Sequence, residues 1–238
     1  MRERLPLLAG LALLAVALLV GSIFVAGGIR DRGKTDVVTV TGSAKQRITS
    51  DYVIWDLSVS SQRDRAAPAA AELAGWAKEV RAFLTAQGVH ADELTVQPVS
   101  TQTVTDNSNP NRIVGYQLTR AFEVRSRRVQ AIAAAAEASS RVIAGGVPLQ
   151  VQPLQYVYTR LADIRPRLLA QAVRDARNRG GVLVGATGGK LGRLRAVDVG
   201  VFQVTAPNST DVSDYGVYDT STLRKDVTAV VNVTFSLR

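Results

Sequence analysis

The chain has no cysteine, a single methionine at its start and a single histidine, His90. Without thiols it can form no disulfide, no thiolate metal site and no cysteine nucleophile. One histidine excludes His-rich metal sites and leaves one imidazole to act as a base. Lysine is sparse: only Lys34, Lys45, Lys78, Lys190 and Lys225 are present, so the basic residues are mostly arginine. These shortages remove much of the common enzyme repertoire before any motif is sought.

What remains is a chain of 238 residues, 46% hydrophobic and 21% charged, too apolar to be disordered. Its 29 basic and 20 acidic side chains give a net charge of +9. The excess is unevenly placed. Residues 1–34 carry five basic and two acidic side chains, a net +3, so residues 35–238 carry the other +6. That division weakens a nucleic-acid reading, and none is expected.

Residues 5–29 hold no charge and consist mainly of Leu, Ala, Val and Gly. About 20 apolar residues span a bilayer as a helix. Arg2 and Arg4 precede the run, and Arg30, Arg32 and Lys34 follow it. A secretory signal has a shorter apolar region and a small-x-small cleavage site. Here Phe24 stands two before Ala26, which suits cleavage poorly. The expectation is an uncleaved transmembrane anchor within 1–34, contacting the membrane through 5–29, with a cleaved signal as the alternative. The flanking charges do not choose an orientation. The C-terminal part, 35–238, is expected outside the cytoplasm as one domain.

Within 35–238 the periodicities are distinct, and Val37–Thr41, a β-branched run that stops at Gly42, reads as the first strand. In Tyr52–Ser60, Val53, Trp55, Leu57 and Val59 alternate with Asp56, Ser58 and Ser60, the mark of a half-buried strand. Pro68 suits a helix's first turn. Leu73, Trp76, Ala77, Val80 and Leu84 follow at helical spacing to a stop at Gly88. Leu94–Val104 reads as a strand with Pro98 at an edge or bulge. Residues 105–112 read as a turn-rich loop, and Tyr116, Leu118, Phe122 and Val124 alternate on the return strand. Ser126 is a candidate N-cap for a small-residue helix over Val129–Ser140.

Leu149–Tyr158 is a strand interrupted by Pro153. A long helix follows, with Pro166 in its first turn and a stripe of Leu168, Leu169, Ala172, Val173, Ala176 and Val182–Leu183. Leu194–Val204 and Val227–Leu237 complete the set, the latter with Val227, Ala229, Val231, Val233, Phe235 and Leu237 on one face. The order ββαββαβαββ implies an α+β fold, a mostly antiparallel sheet covered by helices, after the N-terminal transmembrane helix.

Several stretches resemble one family. Residues 38–60 (VTVTGSAKQRITSDYVIWDLSVS), 88–104 (GVHADELTVQPVSTQTV), 115–129 (GYQLTRAFEVRSRRV), 165–194 and the closing strand are similar to SIMPL-domain proteins. That group includes bacterial periplasmic immunogenic proteins and proteins assigned to oxidative-stress defence. The resemblance implies an exported or anchored protein of poorly defined biochemical function. It implies no catalytic residue. Gly180–Gly181 departs from the alanine-rich helix expected of relatives.

Catalytic, metal and cofactor motifs were sought and none is assigned. GATGGKLG (185–192) lacks both the first glycine and the Ser/Thr of a phosphate loop, and it follows a helix instead of opening one. Ser43–Ala44–Lys45 is one residue short of S-x-x-K. His90 lies near Asp92 and Glu93, where a solvated loop is the stronger reading. Asp211, Asp214 and Asp219 do not match a calcium loop. Arg167, Gln171, Arg174 and Asn178 line the polar face of the long helix. With Arg177, Arg179, Lys190, Arg193 and Arg195 they could form a basic patch for an anionic envelope component. Asp175, four before Arg179, partly neutralises it. The expected function is a non-catalytic envelope role, by self-association as a homo-oligomer or by binding such a component. The alternative is a hydrolase with an unrecognised Ser/Asp site.

Overall fold

A computed structural model describes residues 36–210 and 213–238. The apolar run 5–29 and Asp211 therefore lie outside the described residues. Among the described residues, no helix is long and apolar enough to cross a membrane.

The chain opens with β1 (Val37–Thr49) and β2 (Tyr52–Arg63), then α1 (Ala66–Ala86). A 3-10 turn at Ala91–Glu93 leads to β3 (Leu94–Val96), β4 (Ser100–Asp106) and β5 (Asn109–Ser126). Next come α2 (Val129–Ala138), α3 (Ser140–Ala144), β6 (Leu149–Val151) and β7 (Gln155–Val157). The chain ends with α4 (Leu161–Gly185), β8 (Leu191–Val199), β9 (Gln203–Thr205) and β10 (Arg224–Leu237). The architecture is α+β with two sheets where one was expected. One sheet runs β1-β10-β8 with β9 also on β10. The other runs β3-β5-β2-β6 with β4 on β5 and β7 on β2.

Three expected strands are each divided in two. Pro98 separates β3 from β4, Pro153 separates β6 from β7, and Gly200 falls between β8 and β9. A proline has no N–H for a ladder, so each break falls where pairing would lose a donor or the strand must turn. The 105–112 loop is shorter than expected. Only Asn107 and Ser108 turn, and Asp106 pairs with Asn109. Pro110 is accommodated because β5 pairs only with β4 over residues 109–115. This end of the hairpin continues past the last β2 pairing, Arg63 with Tyr116, and leaves Ile113 and Val114 exposed.

The described chain forms two compact units. The larger holds Ala44–Ala170 and Val201–Ala229. Here β2 pairs antiparallel with β5 from Val53–Ser126 to Arg63–Tyr116. The inward face of β2 is the alternation read from sequence: Val53, Trp55, Leu57 and Val59 are at most 2% exposed. Phe122 and Val124 of β5, Leu73, Val80 and Leu84 of α1, and Ile132 of α2 pack with them. The Trp55 indole N–H has no acceptor among the described residues, and its ring fills the centre of this core. A second cluster gathers Ile48, Ile164, Leu168, Val204, Val227 and Ala229. Pro166 is the sixth residue of α4, beyond the first turn where it was expected.

The smaller unit holds residues 36–43, Gln171–Gly200 and Val230–Arg238. The helix stripe expected to pass through Val182–Leu183 runs instead through Ala172, Ala176, Gly180 and Val184. Val182 and Leu183 are 73% and 57% exposed. The buried set steps by four residues and so drifts about 40° per step around the helix from Leu168, and Val182, two residues from both Gly180 and Val184, lies roughly 160° from each. The small residues are required. A Cβ at Gly42 would lie 2.2 Å from the Ala172 carbonyl oxygen and 2.7 Å from the Ala176 Cβ. At Gly180 it would meet Leu191 and Val40 at 3.3–3.4 Å. Gly180 is thus a packing residue, whereas Gly181 faces open space.

Gly42→Ala is expected to destabilise the protein by roughly 1–3 kcal/mol through overpacking. Gly181→Ala, at a helical site with room, is expected to stabilise it by up to about 1 kcal/mol. Urea-unfolding midpoints that move in opposite directions would bear out both assignments.

Candidate functional site

Three carboxylates, Glu93, Asp219 and Asp226, are each held by several hydrogen bonds. Glu93, at the end of the 3-10 turn, accepts hydrogen bonds from Ser126 Oγ (2.5 Å), Arg128 Nε (3.1 Å) and the His90 backbone N–H (3.0 Å). Arg128 Nη2 also bonds Glu93 and the Gly88 carbonyl. The Arg128 guanidinium and the Ser126 hydroxyl outweigh burial and hold Glu93 down at about 2. Ser126 is therefore the last residue of β5 and not a helix N-cap. Its hydroxyl accepts the Arg128 N–H (2.9 Å), while Arg128 itself occupies the cap position of α2. The His90 ring is exposed.

Asp219 is enclosed in the same way. It accepts from Ser221 Oγ (2.6 Å), Thr222 Oγ1 and Lys225 Nζ (3.2 Å). Burial opposes its charge, but the hydrogen bonds from Ser221, Thr222 and Lys225 prevail and hold it well below the usual carboxylate range. The Lys225 side chain is wholly buried, and that burial lowers its pKa against the pull of Asp219. Its ammonium also donates to the Thr222 carbonyl (2.5 Å). The neighbouring Asp226 receives Arg47 through Nε (2.9 Å) and Nη2 (3.2 Å), and the Asn208 N–H at 3.3 Å. The Arg47 bonds keep it below its ordinary value.

Of the residues singled out in sequence, Ser43, Asp175 and Arg179 meet. The Ser43 backbone N–H donates to Asp175 (2.8 Å), which also pairs with Arg179 at 2.9 Å as the i,i+4 spacing implied. Arg167 bonds Gln46 at 2.8 Å. Residues 185–192 hold the end of α4, a turn with Gly188 at φ 76°, and the first two residues of β8, Leu191 and Gly192. Asp214 and Asp219 are described, and among the described residues no group of three or more His, Asp and Glu could hold a metal ion.

One surface in the smaller unit was not anticipated. There β10 is flanked by β1 and β8, and β8 has no partner other than β10 among the described residues. Its pairing runs from Val231–Val199 to Leu237–Leu191, with a bulge near Arg195. Leu194 and Val197 lie opposite Phe235 and Val233, and Val199 opposite Val231. Those three β10 residues are buried, yet Leu194, Val197 and Val199 are 49%, 41% and 51% exposed. An open strand edge with apolar side chains is a template for another strand. The sequence carried half of this signal, since the unbroken alternation of β10 marks a central strand. It carried no sign that Leu194, Val197 and Val199 of β8 are exposed.

A model of the SIMPL family, described as a protein of unknown function (DUF541), matches residues 38–235. The chain belongs to the SIMPL family. No curated protein sequence matches it. Among solved structures, this SIMPL chain is similar to a de novo designed protein, Foldit4, at 12% identity and TM-score 0.27, over 42% of this chain and 93% of that one. The regulatory subunit of aspartate kinase from Thermus thermophilus matches at 17% identity and TM-score 0.22, over 81% and 88%. A hydantoinase/carbamoylase family amidase from Burkholderia multivorans matches at 14% identity and TM-score 0.24, over 49% and 28%.

The Glu93 pairing has a defined pH signature. A carboxylate lowered from 4.5 to about 2 contributes stability that is complete above pH 4.5 and lost as pH falls toward 2. The gap in unfolding free energy between wild type and Glu93→Gln should therefore shrink over this window and stay constant from pH 6 to 7. Denaturation curves of the two proteins at stepped pH would measure it.

Proposed function

We propose that this SIMPL domain is held at the membrane by residues 5–29, stands outside the cytoplasm, and acts without catalysis by self-association. The observation that carries the reading is the open β8 edge, with Leu194, Val197 and Val199 exposed. A strand edge offers main-chain donors and acceptors that any added strand satisfies, and the apolar side chains add burial. The partner we assign is a second copy. β8 carries Arg193 and Arg195 toward one end and Asp198 toward the other. In an antiparallel pair related by a two-fold axis, the Asp198 end of one strand lies alongside the Arg193–Arg195 end of its mate. The engagement of Glu93, Asp219 and Asp226 in structural hydrogen bonds supports the non-catalytic part. The anchoring rests on the uncharged run itself.

Sedimentation of the full chain in zwitterionic micelles should show a dimer or larger assembly. The double variant Leu194→Lys, Val197→Lys should weaken it at least tenfold without unfolding the domain, since both side chains are half exposed. A wild-type chain that stays monomeric at high concentration would overturn the self-association. A topology reporter fused after Arg238 should read extracytoplasmic, and a cytoplasmic signal would overturn the localisation.

A further inference from the structure

A cleft in the larger unit lies between the turn joining β1 to β2 and the start of α2. It is lined by Thr49, Ser50 and Asp51, by residues 127–131, and by Leu223, with a volume of about 410 Å³. Three observations converge on it.

The first is the helix end. The N–H groups of Val129, Gln130 and Ala131 have no acceptor among the described residues, because the first backbone bond of α2 is donated by Ile132 to the Arg128 carbonyl. No side chain caps this end, since the cap position is an arginine with no cap hydrogen bond. Free N–H groups and the helix dipole together favour negative charge there.

The second is Ser50. It lines the cleft, is only 5% exposed, and its hydroxyl has no hydrogen-bond partner among the described residues. Its own backbone N–H is satisfied by the Leu223 carbonyl, so the hydroxyl alone is left over. A buried hydroxyl without a partner is costly and calls for a group to bond.

The third is the charge balance. Two of the ionic groups on the cleft are compensated. Arg128 is tied to Glu93 and the Gly88 carbonyl, and Asp51 accepts from the Thr159 N–H (2.7 Å), Thr159 Oγ1 (2.9 Å) and Arg160 Nε (3.2 Å). Arg127 is exposed and makes no hydrogen bond or ion pair with any described residue. The cleft thus presents one uncompensated guanidinium, three free N–H groups and one buried hydroxyl. Every one of these can donate a hydrogen bond, and an acceptor with several oxygens would satisfy them together.

We infer that this cleft binds a phosphate oxyanion, as free phosphate or as the phosphate of an ester. Arg127 supplies charge and a bidentate fork. The α2 amides bond a second face of the tetrahedron, and Ser50 donates its hydroxyl. The site is independent of the β8 edge and would stand if self-association failed.

The test is an NMR titration of the full chain in zwitterionic micelles. Inorganic phosphate is added in one arm and phosphatidic acid in the other. The amide signals of Val129, Gln130 and Ala131 should shift and saturate in at least one arm. Saturation with inorganic phosphate alone identifies a free anion, and saturation with phosphatidic acid alone identifies a headgroup. Arg127→Gln should weaken binding at least tenfold and Ser50→Ala severalfold. Arg81→Gln, an exposed arginine on α1, should leave it unchanged. Arg127 is exposed and unpaired, so its variant keeps the fold. No amide shift in either arm would overturn the proposal. So would equal losses in Arg127→Gln and Arg81→Gln, which would mark nonspecific charge.

Discussion

The antiparallel ladder between β2 and β5 is the constraint on which the larger unit depends. Because strand side chains alternate, its register decides which residues reach the core. With Val53 opposite Ser126, the set Val53, Trp55, Leu57 and Val59 points inward along with Phe122 and Val124. A slip of one residue on β2 would turn Asp56 and Ser58 into the core and Trp55 out of it. Only in this register do α1 and α2 find an apolar face to cover, with β3, β4, β6 and β7 pairing on the same two strands.

Charge then plays the part that disulfides or metals play in other small domains. Glu93 ties the 3-10 turn to the end of β5 and the start of α2. Asp219 and Lys225 fasten the segment before β10 back onto that strand. Asp226 joins β10 to Arg47 of β1 and to Asn208. These carboxylates are pulled below their usual range because hydrogen bonds gather on them.

The sequence conveyed the class of fold because alternation and helical spacing are local properties. Trp55 on β2, Leu73, Val80 and Leu84 on α1, and Val227, Ala229, Val231, Val233 and Phe235 on β10 are buried where the period placed them, with Trp76 and Ala77 half-buried beside them. It conveyed less where packing at a distance decides. Val182 and Leu183 look like stripe residues until Gly42 and Gly180 reveal which side of α4 touches the sheet. The split into two sheets depends on strand partners, which no short window encodes. Lys225 reads as a surface lysine, since nothing near it in sequence announces its burial. The openness of β8 and the unpartnered Ser50 hydroxyl are facts about what is missing around a residue. A sequence records only what is there.

The β4–β5 hairpin illustrates how unevenly the molecule is held. From residue 109 to 115, β5 has β4 as its only partner. A two-stranded ribbon alone is marginal in water. Its hydrogen bonds can open from the turn downward without disturbing Trp55 or any other core contact, so its amides exchange fastest at Asn107–Ser108 and slow progressively toward Tyr116. For the same reason, extra residues spliced between Asn107 and Ser108 cost the domain almost nothing, which makes this turn a natural point for carrying a probe.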